Sequence, residues 1–208
     1  VYHTGGTSGN DGIIGAGSGS GSEQLFYQGS SQKLGITMGT ASATYSSSTI
    51  AESTWYHIAG TRASGGSVVF YINGVSVGTD TDSGSTPTGT WRIGYTAGSE
   101  YWQGSLAEYA VWDDRELTEA EVQAIYNSGS PTKLSDVTLN VSGTNYTTDL
   151  IGYYPMGTNF NNAYSAGGGT NGVVTGDATA NNSSPTSPIS ATNDKTSVTD
   201  VPAGSEFE

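Results

Sequence analysis

The sequence contains no cysteine among its 208 residues. Without a thiol the chain can form neither a disulfide nor a thiolate metal site, and it can supply no cysteine nucleophile. Secreted eukaryotic domains of this size often carry a disulfide. The absence therefore favours a bacterial or viral source.

Basic residues are scarce: six Lys and Arg stand against 19 Asp and Glu, which gives a formal net charge of −13. Phosphate recognition needs clustered Lys and Arg, so we expect no nucleic-acid partner. No apolar run approaches the roughly 20 residues that a membrane-spanning helix needs. We therefore expect no membrane insertion.

Glycine and aromatic residues are abundant, with 31 Gly, 13 Tyr, 4 Trp and 4 Phe. Glycine-rich turns between segments of Ser, Thr and aromatic residues are typical of short strands with solvated faces. The predicted strands lie at Ile13–Ile14, Gln24 to Tyr27, Leu34 to Met38, Trp91 to Tyr95 and Leu106 to Trp112. The sequence therefore predicts an all-β protein.

The segment 67–79, SVVFYINGVSVGT, predicts a β-hairpin. Asn73-Gly74 favours a two-residue type I′ turn, in which both residues need a positive φ. The turn predicts the pairs across the hairpin, which are Ile72 with Val75, Tyr71 with Ser76, Phe70 with Val77 and Val68 with Thr79.

One short helix is predicted near residues 118–127. Thr118 is a candidate N-cap, and Glu121 three residues later completes a capping box. Gly129 and Pro131 are predicted to end the helix, because glycine adopts the left-handed cap conformation and proline cannot continue a helix.

Five pieces of the sequence, in order, resemble the motifs of laminin G-like modules. They are Trp55-x-His57-Ile58-Ala59, Tyr71-Ile72-Asn73-Gly74, Ile93-Gly94, Trp102-Gln103-Gly104-Ser105-Leu106, and Leu117-Thr118 through Tyr126. On this resemblance, which covers about residues 1–130, the chain is identified as a member of the concanavalin A-like lectin/glucanase superfamily. The resemblance implies a jelly-roll β-sandwich.

Residues 131–208 are predicted to be an extension, strand-like at 137–141 and 150–156 and then a Gly/Asn/Ser-rich tail. The F-D-G motif of the family's early strands is absent. We therefore expect that some N-terminal strands of the sandwich are missing or have diverged. LIGYYPMG (150–157) resembles the family's opening strand. Either a second module begins there, or the C-terminal side of the chain supplies a strand to the sandwich.

Catalysis has little support in the sequence. Glycosidases use two carboxylates, and the E-x-D-x-x-E strand that the resemblance would imply for such an enzyme is absent. Of the two candidate histidine bases, His3 and His57, the second lies inside the Trp55 motif, which favours a structural role. The sequence therefore predicts a protein that is not an enzyme.

Calcium is the cofactor that the resemblance implies, because related sandwiches often bind it at loops of one rim. Asp80 and Asp82 place two carboxylates at alternating positions of a polar segment, and Ca²⁺ prefers such oxygen ligands. We therefore predict a calcium site at Asp80 and Asp82. Other acids expected in loops are Asp11, Glu100 and Asp177.

The segment 95–104, YTAGSEYWQG, has the side chains that bind sugars. The C–H faces of sugar rings stack on aromatic side chains, and sugar hydroxyls bond to carboxylates and amides. The predicted glycan-binding residues are Tyr95, Glu100, Tyr101 and Gln103. Trp102 occupies the family's Phe position and is expected in the core.

The arrangement of YNSGSPTKL (126–134) followed by LIGYYPMG (150–157) resembles modules of tailed-phage virion proteins, on capsid decorations or tail fibres. The leading hypothesis is a non-catalytic adhesive or glycan-binding module at a virion surface or in an extracellular setting. Its expected partners are other virion or cell-surface proteins, further copies of itself in a homo-oligomer, and a surface glycan. The alternative is a carbohydrate-binding module of a secreted bacterial polysaccharide-degrading enzyme.

Overall fold

The structure is a computed structural model that describes part of the chain. The described residues are 1–5, 9–16, 23–37, 44–63, 66–81, 92–96, 100–112, 115–130, 132, 134, 140–141, 143–145 and 147–155. The strands at 172–174, 197–198 and 205–207 are described by their backbone alone.

Short antiparallel strands account for most of the regular structure. The strands are β1 (Tyr2–His3), β2 (Asn10–Ala16), β3 (Glu23–Gln28), β4 (Lys33–Thr37), β5 (Thr44–Thr49), β6 (Ile58–Arg62), β7 (Ser67–Ile72), β8 (Val75–Thr81), β9 (Arg92–Ile93), β10 (Tyr95–Thr96), β11 (Glu100–Tyr101), β12 (Gly104–Ser105), β13 (Tyr109–Trp112), β14 (Asn140–Val141), β15 (Thr144–Asn145), β16 (Leu150–Tyr154), β17 (Gly172–Val174), β18 (Ser197–Val198) and β19 (Ser205–Phe207). The described residues contain one α-helix, α1 (Glu119–Tyr126), which continues into a 3-10 turn at Asn127–Gly129.

Two sheets form the body of the sandwich. The larger has the strand order β17-β19-β9-β2-β3-β4-β5, and the smaller has the order β6-β7-β8. The remaining described strands form the smaller groups β1-β12-β18, β10-β11, β13-β16 and β14-β15. This arrangement confirms the predicted all-β sandwich with one short helix.

The main core lies between the two body sheets. Tyr27 and Leu34 from the larger sheet pack in one cluster with Ile72 from the smaller sheet. Trp102, with 0% of its surface exposed, belongs to the same cluster, which confirms its predicted core position. Since successive side chains of a strand alternate between faces, the neighbours of Tyr27 and Leu34 point the other way, to what we call the outer face.

The hairpin of β7 and β8 has the predicted turn but only part of the predicted register. Asn73 and Gly74 have φ values of 51° and 76°, as a type I′ turn requires. The pairs Ile72–Val75 and Tyr71–Ser76 are observed. The remaining predicted pairs are wrong: a bulge brings Gly78 opposite Phe70 and Asp80 opposite Val68.

Helix α1 begins after the predicted Thr118 cap and ends one residue before the end of the predicted range. Both hydrogen bonds of the capping box between Thr118 and Glu121 are present. The helix ends at Tyr126, and Asn127 provides the left-handed cap with a φ of 46°. Asparagine tolerates this conformation as glycine does, so the α-helix ends before the predicted Gly129, which instead ends the 3-10 turn with a φ of 90°.

Two predicted strands are shorter than the sequence suggested. Strand β13 begins at Tyr109, because Glu108 has a φ of 57° and interrupts the extended backbone that was predicted from Leu106. Gly94, with a φ of 78°, divides the other predicted strand into β9 and β10. Positive φ values mark both interruptions.

A strand from the C-terminal side of the helix joins the sandwich. Strand β16 pairs antiparallel with β13, with Tyr154 opposite Tyr109. Tyr154 also packs in the main core cluster. This pairing favours the alternative in which the C-terminal side supplies a strand, while the domain boundary at residue 130 stays a prediction.

Among the described residues, no helix is long and apolar enough to cross a membrane.

Candidate functional site

The hairpin of β10 and β11 brings three of the four predicted glycan-binding residues together. Tyr95 lies opposite Tyr101, and Thr96 lies opposite Glu100. The two tyrosine rings are 5.4 Å apart between centroids and are tilted by 51°. Both side chains are half-buried, so each ring keeps an accessible part on a fixed support.

Polar contacts hold this hairpin in shape. Thr96 Oγ1 donates a hydrogen bond of 2.8 Å to Glu100 Oε2, and Thr96 itself is fully buried. The second carboxylate oxygen of Glu100 has further acceptor capacity, because an ionised carboxylate has about four lone-pair sites. Glu100 was expected in a loop, but it lies on strand β11. Its carboxylate can also accept a hydrogen bond from a ligand.

Sequence reasoning missed Arg92 as a member of this group. Its guanidinium carbon lies 5.4 Å from the centroid of the Tyr95 ring, within the range of a cation–π interaction. The alternation of side chains along a strand could have indicated it. Since Ile93 is buried in the core, Arg92 beside it points to the outer face.

Gln103 has a structural role through its backbone. Its backbone carbonyl accepts hydrogen bonds from the Thr4 backbone N–H at 3.0 Å and from Thr4 Oγ1 at 3.2 Å. These bonds attach the N-terminal segment to the chain after Trp102. Its assignment as a glycan-binding residue stays a prediction.

The hairpin rests directly on the backbone of β2. A Cβ atom placed on Gly12 would lie 2.4 Å from Thr96 N and 2.6 Å from Glu100 O. Such distances are far inside van der Waals contact, so only glycine fits there. The close approach fixes the height of the Tyr95–Tyr101 pair above the outer face.

On the core side of β2, a buried His–Asp pair supports the same strand. His3 Nε2 lies 2.6 Å from Asp11 Oδ2, and both side chains are buried. The Gly5 N–H donates to His3 Nδ1 at 3.2 Å, so Nδ1 is unprotonated and Nε2–H is the donor to Asp11. Asp11 lies on strand β2, so the expectation that it lies in a loop is wrong.

The His3–Asp11 pair cannot meet a ligand in this fold. The His3 ring packs 4.2 Å from the Tyr27 ring and 5.0 Å from the Trp102 ring, measured between centroids. Each residue is 2% exposed. The pair therefore joins β1 to β2 inside the core.

His57 also lies in packed surroundings. Its ring stacks on Tyr126 at 5.6 Å, and its backbone N–H donates to Asn73 Oδ1 at 2.9 Å. Burial lowers the pKa of His57 from 6.5 to about 4. The imidazole is therefore neutral at pH 7 and links the Asn73 turn to the helix.

The calcium prediction involves one described residue. Asp80 lies at the end of β8, where its Oδ1 accepts a 2.7 Å hydrogen bond from the Thr81 N–H. Asp82 lies outside the described residues. No group of three or more metal-binding side chains occurs within the part of the chain that the structure describes. Asp80 alone does not make a calcium site, so calcium binding stays a prediction.

Comparisons with known proteins agree with the sandwich architecture. The chain is similar to the crystal structure of "a putative carbohydrate binding protein" from Bacteroides ovatus ATCC 8483, with a TM-score of 0.54 and 17% sequence identity. The similarity covers 74% of this chain and 43% of that chain, so this chain spans less than half the length of that protein. At this identity the likeness shows the fold alone.

The curated proteins contain no match to the chain. Residues 2–123, by contrast, match the family described as the concanavalin A-like lectin/glucanases superfamily. The match covers more than half of the 208 residues and includes the β10–β11 hairpin with its tyrosine pair. The chain belongs to the concanavalin A-like lectin/glucanases superfamily.

Proposed function

We propose that this protein is a non-catalytic glycan-binding module and that the Tyr95–Tyr101 pair is its principal contact with sugar. The observation that carries the proposal is the placement of two half-buried tyrosine rings on a hairpin seated on Gly12. Aromatic rings on a rigid support lose little conformational freedom when they bind. The neighbouring Glu100 carboxylate can accept hydrogen bonds from sugar hydroxyls.

The distribution of carboxylates supports binding without hydrolysis. A glycosidase of the usual kind places two carboxyl groups on either side of the scissile bond. On the hairpin, Glu100 is the one carboxylate among the described side chains, and the described outer-face positions of β2 to β5 carry none. The Bacteroides ovatus structure is described as "a putative carbohydrate binding protein", which agrees with our proposal of glycan binding.

The larger protein to which this module belongs is a separate proposal. A virion-surface adhesin, built as a homo-oligomer in contact with other virion or cell-surface proteins, remains our first hypothesis. A binding module of a secreted bacterial polysaccharide-degrading enzyme is the second. Light scattering distinguishes them: a discrete trimer or larger particle supports the adhesin, and a monomer supports the appended module.

A glycan array tests the binding proposal. Wild-type protein is expected to bind a defined set of glycans, and Tyr95→Ala/Tyr101→Ala is expected to lose that binding. Tyr126→Ala is the matched control, because this half-buried tyrosine lies on the helix. Binding that survives in the double variant, with both proteins folded, would contradict the proposal. Repeating the array with EDTA and with added Ca²⁺ tests the predicted calcium site.

A further inference from the structure

A row of residues crosses the outer face from the tyrosine hairpin to the last described strand of the sheet. Directly opposed residues of antiparallel strands share a face. The row consists of Gly12 on β2, Phe26 on β3, Gly35 on β4 and Tyr45 on β5. Strand neighbours are about 4.8 Å apart, so Tyr45 lies about 14 Å across the sheet from Gly12 and the hairpin above it.

The residues in the middle of the row, Phe26 and Gly35, are buried. A Cβ atom on Gly35 would lie 2.4 Å from the Phe26 ring, so the ring lies flat over the Gly35 backbone. Phe26 itself is 3% exposed. The row therefore has the exposed Tyr45 at one end, the half-buried Tyr95–Tyr101 pair above the other end, and buried residues between them.

Tyr45 is exposed and yet held in place. It is 38% exposed, one of the few large apolar side chains of the described residues that reach this level. Its ring meets the edge of Phe26 at 6.0 Å and 89°. Its hydroxyl accepts a 3.0 Å bond from Gln28 Nε2, and Gln28 Oε1 accepts a 2.8 Å bond from Ser31 Oγ. A ligand would thus meet a fixed ring.

The rows on either side have the polar character that suits sugar hydroxyls. By register, one of them contains Asn10, Gln28, Lys33 and Thr49, and the other contains Arg92, Gly15, Gln24 and Thr37. These side chains are amides, hydroxyls and cations, without a carboxylate, in a chain of net charge −13. Amides and hydroxyls both donate and accept hydrogen bonds, as a carbohydrate requires.

We propose that the outer face binds an oligosaccharide that lies across the strands, with one sugar ring on the Tyr95–Tyr101 pair and another on Tyr45. The inference rests on the proposed function and adds the ligand class: a chain of several sugar rings rather than a single terminal sugar. The separation between the two aromatic contacts is the reason, because one ring cannot reach both.

Calorimetry with a length series of the best array glycan, from the monosaccharide upward, tests this inference. Affinity for wild-type protein is expected to rise with chain length until the ligand spans about 14 Å, and then to level off. Tyr45→Ala is expected to weaken binding of the longest ligand about tenfold, which corresponds to about 1.4 kcal/mol. The same variant should bind the monosaccharide as wild type does.

Two further variants make the test specific. Tyr45→Phe keeps the ring and loses the bond from Gln28, and it should retain most of the affinity for long ligands. Val75→Ala removes another exposed apolar side chain, 60% exposed on the smaller sheet, and should leave binding at every length unchanged.

The experiments distinguish failure of this inference from failure of the proposed function. Equal affinity for all lengths, or an unchanged affinity of folded Tyr45→Ala for the longest ligand, would overturn the inference and leave the proposed function standing. The proposed function itself fails if Tyr95→Ala/Tyr101→Ala binds every length as tightly as wild type.

Discussion

At the scale of single residues, Gly12 has the tightest requirement in the candidate site. A methyl group there would meet backbone atoms of both strands of the tyrosine hairpin, at 2.4 Å from Thr96 N and 2.6 Å from Glu100 O. Backbone cannot move aside as the end of a flexible side chain can. Gly12→Ala is therefore expected to destabilise the protein by about 1–3 kcal/mol, the usual cost of overpacking.

Gly9→Ala is the control for that variant, because a Cβ at Gly9 would have no atom within 4 Å. Urea unfolding of the two variants gives the comparison. We expect Gly9→Ala to unfold with the wild-type midpoint and Gly12→Ala to unfold at a lower urea concentration. Equal midpoints for both variants would show that the hairpin does not rest on β2.

His57 makes stability depend on pH in a defined direction. Burial lowers its pKa from 6.5 to about 4, so between these values the unfolded chain binds more protons than the folded one. The free energy of unfolding should therefore fall as pH is lowered from 6.5 to 4, by up to about 1.4 kcal/mol per unit from this group. Above pH 6.5 the group should contribute no pH dependence.

Urea unfolding of wild type and His57→Asn at several pH values isolates this contribution. The acidic residues titrate in both proteins, so the difference between the two slopes reports His57. We expect the variant to have the shallower slope between pH 6.5 and 4. Parallel slopes would contradict the lowered pKa.

At the scale of elements, Arg115 joins the start of the helix to the segment after it. Its guanidinium pairs with Glu121, which is 3% exposed, and donates to the carbonyls of Asn145 and Thr148 at 3.0 and 3.1 Å. Removing the cation would leave a buried carboxylate without its charge partner. Arg115→Met is expected to cost about 3–5 kcal/mol.

The double variant Arg115→Met/Glu121→Gln separates charge from packing. Since the neutral amide needs no cation, the double variant should be more stable than Arg115→Met alone in denaturant unfolding. A double variant that is less stable than the single one would mean that the buried carboxylate is not the source of the loss.

The elements also show where sequence reasoning stops. The Asn73-Gly74 turn and the Thr118–Glu121 capping box were predicted because each depends on residues close in the chain. The bulge at Val77, which lies between the partners of Tyr71 and Phe70, was not predicted, because the hairpin pattern alone does not show where an extra residue is accommodated. The Asn127 cap was missed for a related reason: asparagine and glycine both adopt the left-handed conformation, and local sequence did not rank them.

At the scale of the whole molecule, we propose that residues 131–155 belong to the same folding unit as the sandwich. Leu150 and Tyr153 form a buried cluster with Leu134, and Tyr153 also donates a hydrogen bond from its hydroxyl to Glu108. A chain that ends at residue 130 loses these contacts and the pairing of β16 with β13. We expect it to unfold without a cooperative transition.

A chain that ends at residue 155 is the comparison for that truncation. It keeps β16 and should melt cooperatively by circular dichroism. If the chain ending at residue 130 melts at the same temperature as the longer one, the boundary predicted at residue 130 is the correct one and our proposal is wrong.

The candidate site was predictable only in part, and the reason is distance along the chain. Tyr95, Glu100 and Tyr101 lie within seven residues, so one aromatic and acidic segment indicated them. Their support on Gly12 and their alignment with Tyr45 depend on the order of four strands. That order follows from long-range pairing, which the pattern of a single sequence does not specify.

The most direct test of the account is a titration of isotope-labelled protein with its best-binding glycan, followed by NMR. We predict that the amide resonances of Tyr95, Thr96, Glu100 and Tyr101 shift together as the sugar saturates the site. Resonances of the smaller sheet, strands β6 to β8, should stay in place. Shifts confined to the smaller sheet, with the tyrosine hairpin unchanged, would contradict the assignment of the outer face as the glycan-binding surface.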